Sequence, residues 1–148
     1  MKRRAGAWLA GAVLLVALLL MVWIWPVYLP PVTPAMEEAR EQAQAVPDDG
    51  PHRVFGYATL TNPVVRLIVV GQPVPSSAAR LPDMQREGRD IFPAPGAVLE
   101  GRVFETDDNG LLRLDRYERL GERYRRDVMT LSDGSAAWVY RLLPYNSP

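Results

Sequence analysis

The sequence predicts an α+β domain, richer in strands than in helices, behind a single N-terminal transmembrane helix. Three observations carry this. Segments such as "HRVFGYATL", "AVLEGRVFE" and "RDVMTLSDGSAAWVYRLL" alternate apolar and polar residues; others follow a helical period between capping residues; and the run from Ala7 to Trp25 is uncharged. Of the 148 residues, the apolar segment and a polar spacer leave roughly 90 to fold, the size of one small domain. The 17 basic residues equal the 17 acidic ones, so no net field argues for nucleic acid or a polyanionic substrate. The chain has no cysteine, which excludes disulfides, thiol nucleophiles, lipoprotein anchoring and cysteine-based metal sites. Oxidising and reducing compartments both stay open.

The stretch "AWLAGAVLLVALLLMVWIW" is long enough as a helix to approach the roughly 30 Å of a bilayer core. It ends in bulky "VWIWPVYLPP" rather than a small-x-small site, so the reading is an uncleaved anchor and not a signal peptide. Lys2, Arg3 and Arg4 precede it and no basic residue follows until Arg40. The positive-inside rule then puts the N-terminus in the cytoplasm. The expected location is single-pass in the inner (plasma) membrane, with the domain extracytoplasmic and periplasmic in a two-membrane bacterium. Trp23, Trp25 and Tyr28 fit an outer aromatic belt, and the lipid bilayer becomes an expected partner.

After Pro30 the composition turns proline-rich and polar. "TPAMEEAREQAQAV" predicts a short spacer helix with Thr33 as N-cap and Pro34 at its first position, broken by "PDDGP". Glu37 and Glu41 read as a solvated face. His52, the only histidine, reads as exposed and cannot by itself found a multi-histidine metal site. A strand is expected around Arg53, then a helix in "NPVVRLIVVG" with Asn62 as N-cap, Pro63 at the first turn and Gly71 as its stop. Strand-to-helix turns expose unpaired N–H groups, so Thr59 to Asn62 is a candidate binding surface, though a plain turn has the same pattern. Residues 72–97 read as irregular, with one short strand at "ARLPDMQ". Leu99, Gly101 and Val103 mark one face of a further strand, and a turn at Asp133 and Gly134 joins the last two.

One helix raises a chemical question. Asp107, Asp108 or Asn109 caps a pattern through "GLLRLDRYERL" that stops at Gly121. Leu111 and Leu114 define its apolar stripe, and Glu118 falls within it, seven and four residues on. Arg113, Arg116 and Arg119 point elsewhere. A carboxylate facing a core is paired, with Arg125 or Arg126 as candidates here, or protonated, or set in a cavity wall. The last case suits a general base working near neutral pH.

Together "VFGYATL", "NPVVRLIVVGQPV", "ARLPDMQ", "VLEGRVFE", "LDRYE", "YRRDVMTL" and "AWVYRL" stand in the order and spacing of a known family. The chain resembles the γ-glutamylcyclotransferase superfamily, in its γ-glutamylamine cyclotransferase-like branch, over residues 53–143. The resemblance implies a small mixed β-barrel with flanking helices. It implies a glutamyl-binding loop at Tyr57, Ala58, Thr59 and Leu60, and a catalytic glutamate at Glu118. It further implies cyclisation of a small γ-glutamyl amide or peptide to 5-oxoproline, with no metal or organic cofactor. Ala58 stands where the family usually has glycine, and so does Asp83. The chain is thereby divided into a basic N-terminus (1–6), an anchor (7–29), a linker (30–52), the domain (53–143) and a tail (144–148). A binding module that lost turnover is the rival expectation, and a structural domain of a membrane assembly is a third.

Overall fold

The computed structural model describes residues 11–20, 29–43 and 51–144. Residues 11–20 form a helix (α1) and Pro34–Ala43 a second (α2). Strand β1 (His52–Gly56) leads through a 3-10 turn (Ala58–Thr61) into α3 (Pro63–Val70). Strands β2 (Ser76–Glu87) and β3 (Asp90–Thr106), helix α4 (Asp108–Glu118), and strands β4 (Tyr124–Thr130) and β5 (Ala136–Leu142) complete the domain.

The anchor and the localisation drawn from it are corrected by this structure. Among the described residues no helix is long and apolar enough to cross a membrane. The rest of the predicted span, residues 7–10 and 21–28, lies outside the described residues. Leu29, at the end of that span, is buried, and its carbonyl accepts from Arg116 (3.0 Å). The bilayer therefore has no support as a partner.

The sheet order is β2-β3-β1-β5-β4, with β1 antiparallel to β3 and parallel to β5. It is open, which corrects the expected barrel. The sheet curls enough for Ser132 N to donate to Arg80 O (2.9 Å), yet β2 and β4 form no ladder. Pro82 has no N–H to donate, and Asp83 at φ 56 interrupts the extended backbone at a bulge. Both faces are covered because alternate residues serve different cores. Val54, Phe104, Trp138 and Tyr140 meet Val69, Leu111, Leu114 and Leu120 on the helical side. Phe55, Val103, Ala137 and Val139 meet Leu81, Met84 and Ile91 inside the curl.

The segment expected to be irregular forms the long β2–β3 hairpin. Of the β2 residues only Leu81 and Met84 are buried, so no period-2 apolar signal exists there to be read. The spacer helix forms as capped, with Met36 N donating to Thr33 Oγ1 (3.3 Å). It is packed on the domain: Met36 is buried among Leu114, Leu120 and Tyr124, and Arg40 reaches Asp115 (3.2 Å). His52 is mostly covered, its Nε2 lying 2.6 Å from Asp108.

Candidate active site

The turn after β1 is held from its carbonyl side. Thr61 Oγ1 donates to Ala58 O (2.6 Å), Asn62 N to Thr59 O (3.1 Å), and buried Arg66 to Leu60 O and Thr61 O (both 2.9 Å). Arg66 also donates to Ser76 Oγ (2.8 Å) and lies over the Phe104 ring. Burial, and then the charge of Arg102, lowers the pKa of this guanidinium. Gly56 lets the turn fold back, since a Cβ there would meet the Leu60 Cβ at 2.8 Å. Ala58 takes φ 54, so the loop does need the left-handed conformation that glycine would supply, and alanine adopts it against its preference.

Asn62 caps α3 with its Oδ1 accepting from Val64 N (2.8 Å), and Gly71 at φ 85 stops it. Arg113 of α4 donates to Val69 O and Ile68 O (2.8 and 3.1 Å), satisfying carbonyls that a helix end leaves open. Asp107 caps α4 through Gly110 N (2.8 Å). Leu114 and Asp115 of α4 are fully buried. Asp115 accepts from Arg126 (2.9 and 3.0 Å) and from the Tyr140 hydroxyl (2.7 Å). Arg126 in turn lies 4.5 Å from the Trp138 ring centre.

Glu118 is the last residue of α4 and half-buried. It lines a cavity of about 410 Å³ together with Phe55, Tyr57, Ala58, Thr59 and Leu60 from β1 and the turn after it, and Tyr117, Tyr124 and Tyr140 from later in the chain. Neither arginine proposed as its partner is used that way: Arg126 holds Asp115 and Arg125 lies 3.1 Å from Asp127. Burial pushes the Glu118 carboxyl up to about 7, against the downward pull of Arg123. Burial, and then the nearby Glu118 charge, raises the Tyr57 and Tyr124 hydroxyls, so both stay neutral donors. Tyr57 donates to Tyr140 O, and Tyr117 bonds Thr59 Oγ1 (3.3 Å), tying the turn to α4.

Residues 54–147 match the family described as "Gamma-glutamyl cyclotransferase, AIG2-like". The chain belongs to this family. The cyclotransferase-family fold is also similar to the solution structure of a protein from Arabidopsis thaliana, at 25% identity and TM-score 0.55, over 68% of this chain and 75% of that one. A human protein gives 18% identity and TM-score 0.55 over 65% and 69%. A structure named "Gamma-glutamyl cyclotransferase" gives 16% and 0.53 over 66% and 70%. The last two likenesses speak to the fold alone. No curated protein matches the chain.

All five residues singled out from the sequence, Tyr57 to Leu60 and Glu118, line this one cavity of the cyclotransferase-family domain. Asn62 stays at the cap. Sequence reasoning missed Arg89, Arg119 and Arg123, which line it too. A helix continuing to Gly121 would turn Arg119 away from the apolar stripe. The helix instead ends at Glu118 and Arg119 sits at φ 52, so the helical phase no longer sets its direction. Asp115 was readable from the same stripe, four residues after Leu111, and Arg89 depends on the hairpin that carried no periodic signal.

Proposed function

We propose that this chain is a γ-glutamylcyclotransferase-type enzyme that converts a small γ-glutamyl amide or peptide to 5-oxoproline, with Glu118 as its base. The observation that carries the reading is the Glu118 carboxyl at the wall of a cavity shared with the Tyr57–Leu60 turn, with Arg125 and Arg126 engaged by other carboxylates. In the reaction the substrate's own α-amine attacks its γ-carbonyl carbon. A ring C–N bond forms, the amide C–N bond breaks, and the amine leaves with a proton. Atoms balance without water or a protein nucleophile, and holding the chain bent gives the attack a high effective molarity. The α-ammonium must first lose a proton, since it is mostly charged at neutral pH. A carboxylate with a pKa near the working pH is suited to take that proton and return it to the leaving amine.

The turn's four carbonyls are already engaged, so its contribution to substrate is through N–H groups, which can hold the glutamyl carboxylate or the developing oxyanion. Ala58 keeps the loop conformation that glycine would give, which favours retained turnover over the rival binding module. The test is 5-oxoproline release by the full chain and by Glu118→Gln from a panel of γ-glutamyl amides and peptides. Release by the parent and loss of at least about 100-fold in a folded variant supports the reading. A folded parent that releases none from any panel member overturns it.

A further inference from the structure

We infer that Arg66, Ser76 and Arg102 form a binding site, separate from the cavity, for a small doubly charged oxyanion of the phosphate class. None of the three lines the cavity. Two arginines are buried among the described residues, Arg66 and Arg126. Arg126 meets Asp115 at 2.9 Å. Arg66 is 4% exposed, yet among the described residues neither it nor Arg102 has a carboxylate within ion-pair distance. Its companion is instead a second guanidinium, held on the same oxygen.

The register of the sheet builds this cluster. Ser76 stands opposite Phe104 and Ala78 opposite Arg102, so alternation puts Ser76, Arg102 and Phe104 on the face that α3 covers. Arg66 reaches across from α3, 5.7 Å above the Phe104 ring centre, and its Nη2 donates to Ser76 Oγ (2.8 Å). Arg102 Nε donates to that same Oγ (2.8 Å) and its Nη2 to Ser76 O (2.8 Å). Both acceptor positions of the hydroxyl are then filled, so Ser76 can only donate. Arg66 Nε is buried without a partner, and Arg102 Nη1 has none among the described residues. The β3 carboxylates on either side, Glu100 and Glu105, lie against Arg80 (3.5 Å) and Arg53 (3.9 Å).

A buried charge is ordinarily paired, and an uncompensated one costs stability. Here the charge of Arg102 adds repulsion to the burial of Arg66. An anion carrying two charges offsets both guanidinium groups at once. A tetrahedral oxyanion also offers several acceptors to the donors left over, where chloride offers a single point and a carboxylate one charge. Arg102 and Ser76 are half-buried, so the anion approaches from their side. Because Arg66 Nη1 holds Leu60 O and Thr61 O (both 2.9 Å), occupancy also braces the group that fixes the turn.

The test follows thermal unfolding of the full chain in inorganic phosphate, from none to about 20 mM at about pH 7.5, with sodium chloride holding the ionic strength constant. The expected result is a saturating rise in Tm of about 5 °C. Exclusion of phosphate from the protein surface raises Tm as well, but without saturating. Arg102→Gln should lose the saturating rise, while Arg86→Gln, which removes the same charge elsewhere on β2, keeps it. Ser76→Asp sets a carboxylate between the two arginines, so it should raise Tm without phosphate and gain nothing further from it. No rise, a rise that does not saturate, or a saturating rise that survives in Arg102→Gln overturns the site. Should Arg102→Gln fail to fold, Ser76→Asp decides: a Tm no higher than the parent's, or a phosphate response equal to the parent's, overturns it. These readouts need no turnover, so the anion site and the cyclotransferase reading stand or fall separately.

Discussion

Glu118 gives up solvation on folding and gains no salt bridge among the described residues in exchange, and stability measurements can read the consequence. Its carboxyl moves from an ordinary 4.5 to about 7. Between those values the folded chain holds more of this proton than the unfolded chain, so this group's contribution is complete below about 4.5 and lost as pH rises to about 7. Glu118→Gln removes that dependence. The variant is expected to be more stable than the parent at pH 8, by on the order of 2 kcal/mol, with the gap closing toward pH 4.5; paired thermal unfolding at the two pH values checks it. For turnover the sign is opposite, because the base must be ionised: the parent's kcat/KM should climb with a limb near pH 7. A pH profile that is flat from 5.5 to 8.5 would sink the base assignment. Ala58 provides a second residue test. At φ 54 a glycine relieves strain of about 1 kcal/mol, which offsets the similar cost of loosening the unfolded chain, whereas a β-branched residue adds strain. In urea titrations Ala58→Gly should stay within about 0.5 kcal/mol of the parent and Ala58→Val should lose about 2 kcal/mol.

Helix α4 brings Glu118 to the cavity and is pinned along its length by its own side chains. Arg113 closes the end of α3, Arg116 holds Pro30 O and Leu29 O (2.7 and 3.0 Å), and Asp115 gathers Arg126, Tyr140 and Arg40. Removing the Asp115 carboxylate strands a buried guanidinium, so Asp115→Ala should cost about 3–5 kcal/mol, against about 1 kcal/mol for Tyr140→Phe. Equal losses in denaturant unfolding would refute this ranking. The helix is also where the sequence is most legible. Leu111, Leu114 and Glu118 repeat with the helical period, and that repeat alone puts the carboxylate on the inward face. The period fails one residue later, where Arg119 leaves the helix, and it has nothing to say about β2. That strand runs outside the main packing, with Leu81 and Met84 its only buried residues. Buried ladders announce themselves by alternation, and exposed ribbons do not.

At the scale of the molecule, the segment before β1 belongs to the folded body. Met36 is 2% exposed within the helical core, and a Cβ on Gly121 would lie 2.3 Å from Ala35 O, so α2 and the turn after α4 are in close contact. A chain beginning at residue 53 is expected to lose about 3 kcal/mol of stability, mostly from the vacated Met36 site. Unchanged urea midpoints for the two chains would contradict this. The sheet is legible in part: the β4–β5 turn at Asp133 and Gly134 and the strand at Arg53 can be read locally, but closure depends on which edges meet. Here the central position of β1 has a temporal consequence. Two hairpins flank it, each able to form from neighbours in sequence, while β1 itself pairs with residues 102–106 and with Trp138. During synthesis β1 leaves the ribosome ahead of every other strand of the sheet, yet has no complete place to go until β5 follows. Val54 and Phe55 therefore wait for β3, whose residues 102–106 pair along the whole of β1, and the sheet is complete only once β5 has emerged.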